Sequence, residues 1–132
     1  VIEVKTSKLS NGDLNRGVFA TRDIAKGDLI HEAPVLPYPN EEHDHIEKTM
    51  LADYAFEYGA NHTAFLLGYG MLFNHSYTPN ATYDINFDNH TFDFYAYTDI
   101  AAGEEILINY NGDVDCDDPL WFYEEENKRA SK

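Results

Sequence analysis

The chain has 132 residues, the size of one domain with a single core. Hydrophobic residues make up 43%, which suits a globular interior, and no apolar run approaches the ~18–20 residues that cross a bilayer. With 24 acidic against 9 basic residues the net charge is −15, which disfavours direct binding to a nucleic-acid backbone and favours basic peptides as partners. The start, Val1-Ile2-Glu3-Val4-Lys5, lacks the charged and apolar regions of a secretory leader. A single cysteine, Cys116, excludes an internal disulfide and points to a reducing compartment. The expected location is intracellular, in cytoplasm or nucleus, with export into a host cell left open.

In chain order, Ile2 and Val4 alternate with polar residues and predict a first short strand. Asn11-Gly12-Asp13 is a turn, and Asn15-Arg16-Gly17 leads into a second strand, Val18-Phe19-Ala20. Gly17 allows a close backbone approach or a positive φ. Lys26-Gly27-Asp28 turns into a strand at Leu29–Ala33. Pro34, Pro37 and Pro39 then disfavour either a regular helix or a central strand. A helix is predicted after Asn40 as N-cap, because Ile46, Met50, Leu51, Tyr54, Ala55 and Tyr58 share a face at helical spacing, and Gly59 would stop it. His43 and His45 flank Asp44 but cannot share a helical face. They read as exposed residues at the helix start, not as metal ligands.

Ala64–Phe73, interrupted by Gly68 and Gly70, is expected to form a short helix or turn that delivers Asn74. Ala81, Tyr83, Ile85 and Phe87 alternate with polar residues, as do Phe92, Phe94 and Ala96 after the turn Asp88-Asn89-His90, predicting a β-hairpin. Ala101-Ala102-Gly103 turns into a strand whose Ile106, Ile108 and Tyr110 share one face, with Tyr110 at its end beside Asn111-Gly112. The chain is then acidic and irregular to Pro119, aromatic at Trp121-Phe122-Tyr123, and polar over 124–132, a solvated tail. The pattern is a single β-rich α+β domain over residues 1–123.

One stretch carries more chemistry than the rest. Asn74, His75, Ser76 and Asn80 sit beside apolar Leu72 and Phe73, where polar groups cost stability unless hydrogen-bonded. Phe73-Asn74-His75-Ser76-Tyr77-Thr78-Pro79-Asn80 and Gly103-Glu104-Glu105-Ile106-Leu107-Ile108-Asn109-Tyr110 resemble, in order, the signature of the SET-domain protein lysine methyltransferases. A third family element lies upstream at Asn15-Arg16-Gly17-Val18-Phe19-Ala20, continuing to Ile24–Ile30. The resemblance runs from about Val4 to Phe122 and is to a compact member, similar to small viral and bacterial SET proteins.

The resemblance implies a fold of small curved β-sheets with a C-terminal pseudoknot, an exception to unthreaded connections. It implies transfer of a methyl group from S-adenosylmethionine to a lysine ε-amine of a basic protein, a histone or histone-like tail. Tyr110 matches the catalytic tyrosine. Asn74 and His75 match the cofactor-contacting pair, their amide, imidazole and local backbone meeting the amino-acid end and the adenine edge. Arg16 and Gly17 would approach the cofactor through their backbone, and Trp121 falls where small members place an aromatic over the adenine or beside the lysine channel. Tyr54, Ile108 and Phe122 would line the lysine channel, and Ile108 leans toward room for di- or trimethylation. Ser76, Pro79 and Asn80 would hold the loop. Two departures stand out. Asn15 replaces the first glycine of the cofactor turn, and one cysteine cannot make the Cys-rich zinc site of many relatives, so no metal is expected.

Two other readings compete. The first is a catalytically inactive SET-fold module that binds basic peptides, which Asn15 supports and Tyr110 with Asn74 and His75 opposes. The second is a calcium loop at Asp113, Asp115, Asp117 and Glu124, which Asp118 at the glycine position and Pro119 oppose.

Overall fold

The computed structural model describes residues 1–8, 16–112 and 114–115. β1 (Ile2–Thr6) runs antiparallel to β2 (Arg16–Ala20), with Val4 opposite Val18. β3 (Leu29–Pro39) is followed by one helical turn, α1 (His43–Ile46), and a 3-10 segment at Met50–Tyr54. β4 (Phe56–Tyr58) and β5 (His62–Leu66) form a hairpin around Gly59, whose φ is +74°. β6 (Asn74–His75), β7 (Ala81–Asn86), β8 (Thr91–Ala96) and β9 (Glu105–Ile108) complete the strands. The strands make two sheets, in the orders β1-β2-β9-β6 and β4-β5-β3-β8-β7.

The alternation at 81–96 folds as the predicted hairpin, with Tyr83 opposite Phe94 and Ile85 opposite Phe92. Phe73, Phe92 and Phe94 are enclosed between the sheets together with Val18, Ala33, Ile106 and Ile108. Each such phenylalanine contributes about 1.5–3 kcal/mol relative to leaving it in water. Asp93, also buried but on the opposite face of β8 from Phe92 and Phe94, is satisfied locally: the Thr91 hydroxyl donates to its carboxylate at 2.7 Å and the Asn86 amide at 3.4 Å.

Four expectations need correction. The strand at 29–33 does not stop at the prolines but runs on to Pro39, in the middle of its sheet. It does so by changing partner: residues 29–34 pair with β8 and residues 35–39 pair with β5. Each half is therefore an edge on its other side, where a proline's missing N–H needs no acceptor.

The helix predicted after Asn40 is not formed. Pro39 is extended, and the Asn40 side chain caps nothing; its amide donates to the Ala60 carbonyl and its oxygen accepts from the Thr63 hydroxyl. Thr49 ends the helical turn by donating to the Ile46 carbonyl while accepting from the Leu51 N–H, local bonds that compete with a helix. Met50 and Leu51 are left 64% and 41% exposed, while Tyr58 is drawn into β4 with its ring against Phe92. His45 is exposed as expected. His43 is not: it is half-buried, stacked on Tyr38 and bonded through Nδ1 to the Tyr38 hydroxyl at 2.8 Å.

Residues 64–66 are strand, not helix or turn; only 67–73 turns. The pseudoknot segment, the tail, Asn15, Trp121, Phe122 and most of the calcium-like loop lie outside the described residues.

Candidate active site

The site begins with the turn before Asn74. At Gly70 a Cβ would stand 2.7 Å from the Ala33 Cβ and 2.6 Å from the Leu66 Cβ, so only glycine lets the chain pass this close. The turn is pinned where the Tyr69 N–H donates to His31 Nε2 at 3.2 Å. Phe73 then enters the core, and β6 docks parallel to β9, with Asn74 opposite Leu107 and His75 opposite Ile108.

The polar residues after β6 hold one another, as their neighbourhood demands. The Asn80 side chain works as an extra strand residue for β9. Its oxygen accepts from the Leu107 N–H at 2.8 Å and its amide donates to the Glu105 carbonyl at 2.9 Å. The Ser76 N–H donates to the Ile108 carbonyl at 2.9 Å, and the Ser76 hydroxyl accepts from the Thr78 N–H at 3.0 Å. Ser76 and Asn80 therefore hold the loop as expected.

This frame fixes Tyr110 twice. Its N–H donates to His75 Nδ1 at 3.0 Å, and its hydroxyl donates to the Phe73 carbonyl at 2.5 Å. The His75 ring is 5% exposed and lies between the rings of Tyr77 and Tyr110, at 4.4 and 5.2 Å. Burial pulls its pKa down to about 4, so the ring is neutral at pH 7.

Tyr110 faces a cavity of about 670 Å³. Tyr54, Phe56, Met71, Phe73, Tyr83 and Ile85 supply its aromatic and apolar wall, and Asp53, Glu57 and Asp84 its charge. Glu57 and Asp84 are solvent-exposed. Burial, with Glu57 nearby, pushes the Tyr83 hydroxyl up to about 12, so it stays protonated.

A second cluster joins β2, β6 and β9. The Asn74 amide donates to the Arg16 carbonyl at 3.1 Å and to Glu105 Oε2 at 2.7 Å, while the buried Ser7 hydroxyl donates to Glu105 Oε1 at 2.7 Å. A Cβ on Gly17 would run into that carboxylate and lie 2.9 Å from Asn74 Nδ2.

Among the residues singled out by sequence, Arg16, Gly17 and Asn74 meet in this cluster, and Tyr54 and Tyr110 share the cavity. Ile108 does not join them. It is fully enclosed in the core and absent from the cavity wall, because spacing along a strand gives a face but not a depth. The His75 imidazole is also turned inward, so its ring serves Tyr110. Glu105, Tyr83 and Met71 were missed. Glu105 sat in view within the Gly-Glu-Glu stretch, but its partners Ser7 and Asn74 are 98 and 31 residues away in the chain. Among the described residues no group of three or more His, Cys, Asp or Glu is placed to hold a metal ion, and no helix is long and apolar enough to cross a membrane.

With the geometry in hand, the likenesses to known proteins are specific. The SET-domain profile matches residues 15–111. The chain belongs to the SET-domain family, and so to the protein-lysine methyltransferases. It is 33% identical over 118 residues to a Schizosaccharomyces pombe histone-lysine N-methyltransferase, H3 lysine-37 specific, covering 89% of this chain and 76% of that protein. A crystal structure of a candidate histone methyltransferase from Plasmodium falciparum is 36% identical, with a TM-score of 0.69 over 83% of this chain and 91% of that one. Chaetomium thermophilum Polycomb Repressive Complex 2 shares the fold at 23% identity, with a TM-score of 0.70 over 83% of this chain and 14% of that one.

Proposed function

We propose that this chain transfers a methyl group from S-adenosylmethionine to the ε-amine of a lysine in a basic protein, a histone or histone-like tail. The observation that carries this reading is Tyr110, tethered at both its N–H and its O–H, in the wall of a cavity with an apolar lining and acidic residues.

A lysine amine has pKa ~10.4 and must lose its proton before it can attack. Asp53, Glu57 and Asp84 draw the ammonium in. The apolar side chains of Phe56, Met71, Phe73 and Ile85 in the same wall desolvate it, which favours the neutral form. No strong base is needed, because positioning dominates an in-line displacement. The Tyr110 hydroxyl spends its proton on the Phe73 carbonyl, so its oxygen presents lone pairs that accept from the amine N–H and orient it. Tyr54 walls the same channel and Tyr83 offers a protonated hydroxyl within it.

S-adenosylmethionine supplies an electrophilic methyl carbon on a positively charged sulfur. The donor set around Arg16, Gly17 and Asn74 suits it chemically. The Glu105 carboxylate complements positive charge, and it packs with the Asn74 amide directly against the backbone of Arg16 and Gly17. His75 would contribute through its backbone, and Trp121 and Phe122 remain the proposed aromatic neighbours. No metal enters this reading, since Cys116 alone cannot build the family's thiolate zinc site. A histone substrate places the protein in the nucleus, and the net charge of −15 makes the tail, not the nucleic acid, the partner.

Labelled-methyl transfer across core histones, linker histone and unrelated basic proteins, with a chelator present, tests this directly. Transfer to a lysine of a basic protein is the expected result. Cofactor binding without transfer to any of them would leave the inactive peptide-binding module instead.

A further inference from the structure

We infer that His75 is a positioning residue for Tyr110, acting through the hydrogen bond that its Nδ1 accepts from the Tyr110 N–H. The inference rests on the reading of Tyr110 just given. Tyr110 lies two residues beyond the end of β9, where the sheet ladder no longer supplies an acceptor for its N–H. A half-buried N–H needs one, and the His75 ring supplies it at 3.0 Å. The other end of the residue is held by the Phe73 carbonyl. A three-residue run, 73–75, thus grips Tyr110 by both its backbone and its hydroxyl.

The grip is itself rigid. The His75 backbone is registered against Ile108 by the parallel pairing, and the Tyr77 ring stands edge-on to the imidazole at 89°. Accepting at Nδ1 requires a neutral ring with its proton on Nε2. Losing the Nδ1 acceptor removes that hold on the Tyr110 backbone while the hydroxyl keeps its own tether. The residue can then pivot about the Phe73 carbonyl, and small displacements at a reacting group cost rate steeply.

Two substitutions separate this role from plain packing. In His75→Asn the side-chain oxygen branches from the same atom as Nδ1 and can still accept, but the residue fills less space. In His75→Leu the space is filled and the acceptor is gone. Turnover, KM for a basic peptide substrate and S-adenosylmethionine affinity are measured on the folded protein well below each melting point. The expected result is a fall in turnover of tenfold or more for His75→Leu, with KM and cofactor affinity within about twofold, and recovery of most of that turnover in His75→Asn. Equal turnover in the two variants, or Leu above Asn, would overturn the inference. Amide hydrogen exchange and imidazole ¹⁵N shifts on the unmodified protein supply a check that no folding defect can spoil. Protection of the Tyr110 amide and an Nε2-protonated ring are expected; an unprotected amide or an Nδ1-protonated ring contradicts the inference. Absence of transfer by the unmodified protein would instead sink the underlying reading of Tyr110.

Discussion

The Tyr110 hydroxyl donates to the backbone carbonyl of Phe73 at 2.5 Å, across 37 residues of chain. Phe73 itself is enclosed in the core, its ring 4.5 Å from that of Phe94. The hydroxyl is therefore referenced to a residue packed in the core. Core packing is what gives the cavity a fixed polar point.

Stability should fall as pH is lowered from about 6.5 to about 4. Burial lowers the folded-state pKa of His75 to about 4, below its unfolded value of 6.5. In that window the unfolded chain binds more protons, so stability rises with pH. The contribution is complete above pH 6.5 and is lost as pH falls through about 4. His31, also lowered by burial, adds to the same slope. Urea midpoints measured at pH 7.5 and 5.0 should differ less in His75→Asn than in the unmodified protein. An unchanged difference would mean that His75 titrates normally.

Gly17→Ala should weaken S-adenosylmethionine binding by about tenfold and cost about 1–3 kcal/mol of stability, the usual range for overpacking. The new methyl meets the Glu105 carboxylate, which Ser7 and Asn74 hold in place, so it cannot simply swing aside. Calorimetric titration and a melting curve check this. Binding and melting unchanged from the unmodified protein would show that the cluster yields easily.

Asn80→Ala should destabilise the fold by about 2–3 kcal/mol, two hydrogen bonds with one backbone N–H left without its partner. Because Asn80 braces β9 from Glu105 to Leu107, the strand that leads on to Tyr110, turnover of the folded fraction should fall too. Denaturant unfolding together with activity at low temperature separates the two effects.

Substrate capture should depend on charge. The apparent KM for a basic peptide should rise with salt more than turnover falls, as charges beyond a Debye length of ~10 Å at 0.1 M are screened. Asp84→Lys, at an exposed position in the cavity wall, should raise KM several-fold at low salt and less at high salt. A KM indifferent to both would confine the net charge of −15 to a solubility role.

The hairpin at 81–96 and the two signature stretches were legible because each is written in short-range order: alternation around a turn, and ordered motifs on contiguous residues. What could not be read depends on partners distant in sequence. Residues 46, 50, 51, 54, 55 and 58 fit a helical face, yet Thr49 breaks the helix locally and Phe92 recruits Tyr58 from a strand 34 residues on. The prolines of β3 are tolerated only because its partner changes at Pro34, a fact of pairing and not of composition. Ile108, expected to wall the channel, is fully enclosed in the core, a depth that alternation along a strand does not encode.

The central claim is that Tyr110 acts on the reacting amine and does not merely cap the core. Tyr110→Phe keeps the ring and removes the hydroxyl with its bond to Phe73. A melting curve, an S-adenosylmethionine titration and a methyl-transfer rate on one preparation decide between the two roles. If the hydroxyl positions the amine, stability falls by about 1 kcal/mol, cofactor binding persists, and transfer drops by about two orders of magnitude, equivalent to ~2–3 kcal/mol at the transition state. Near-normal transfer by the folded variant would contradict the account.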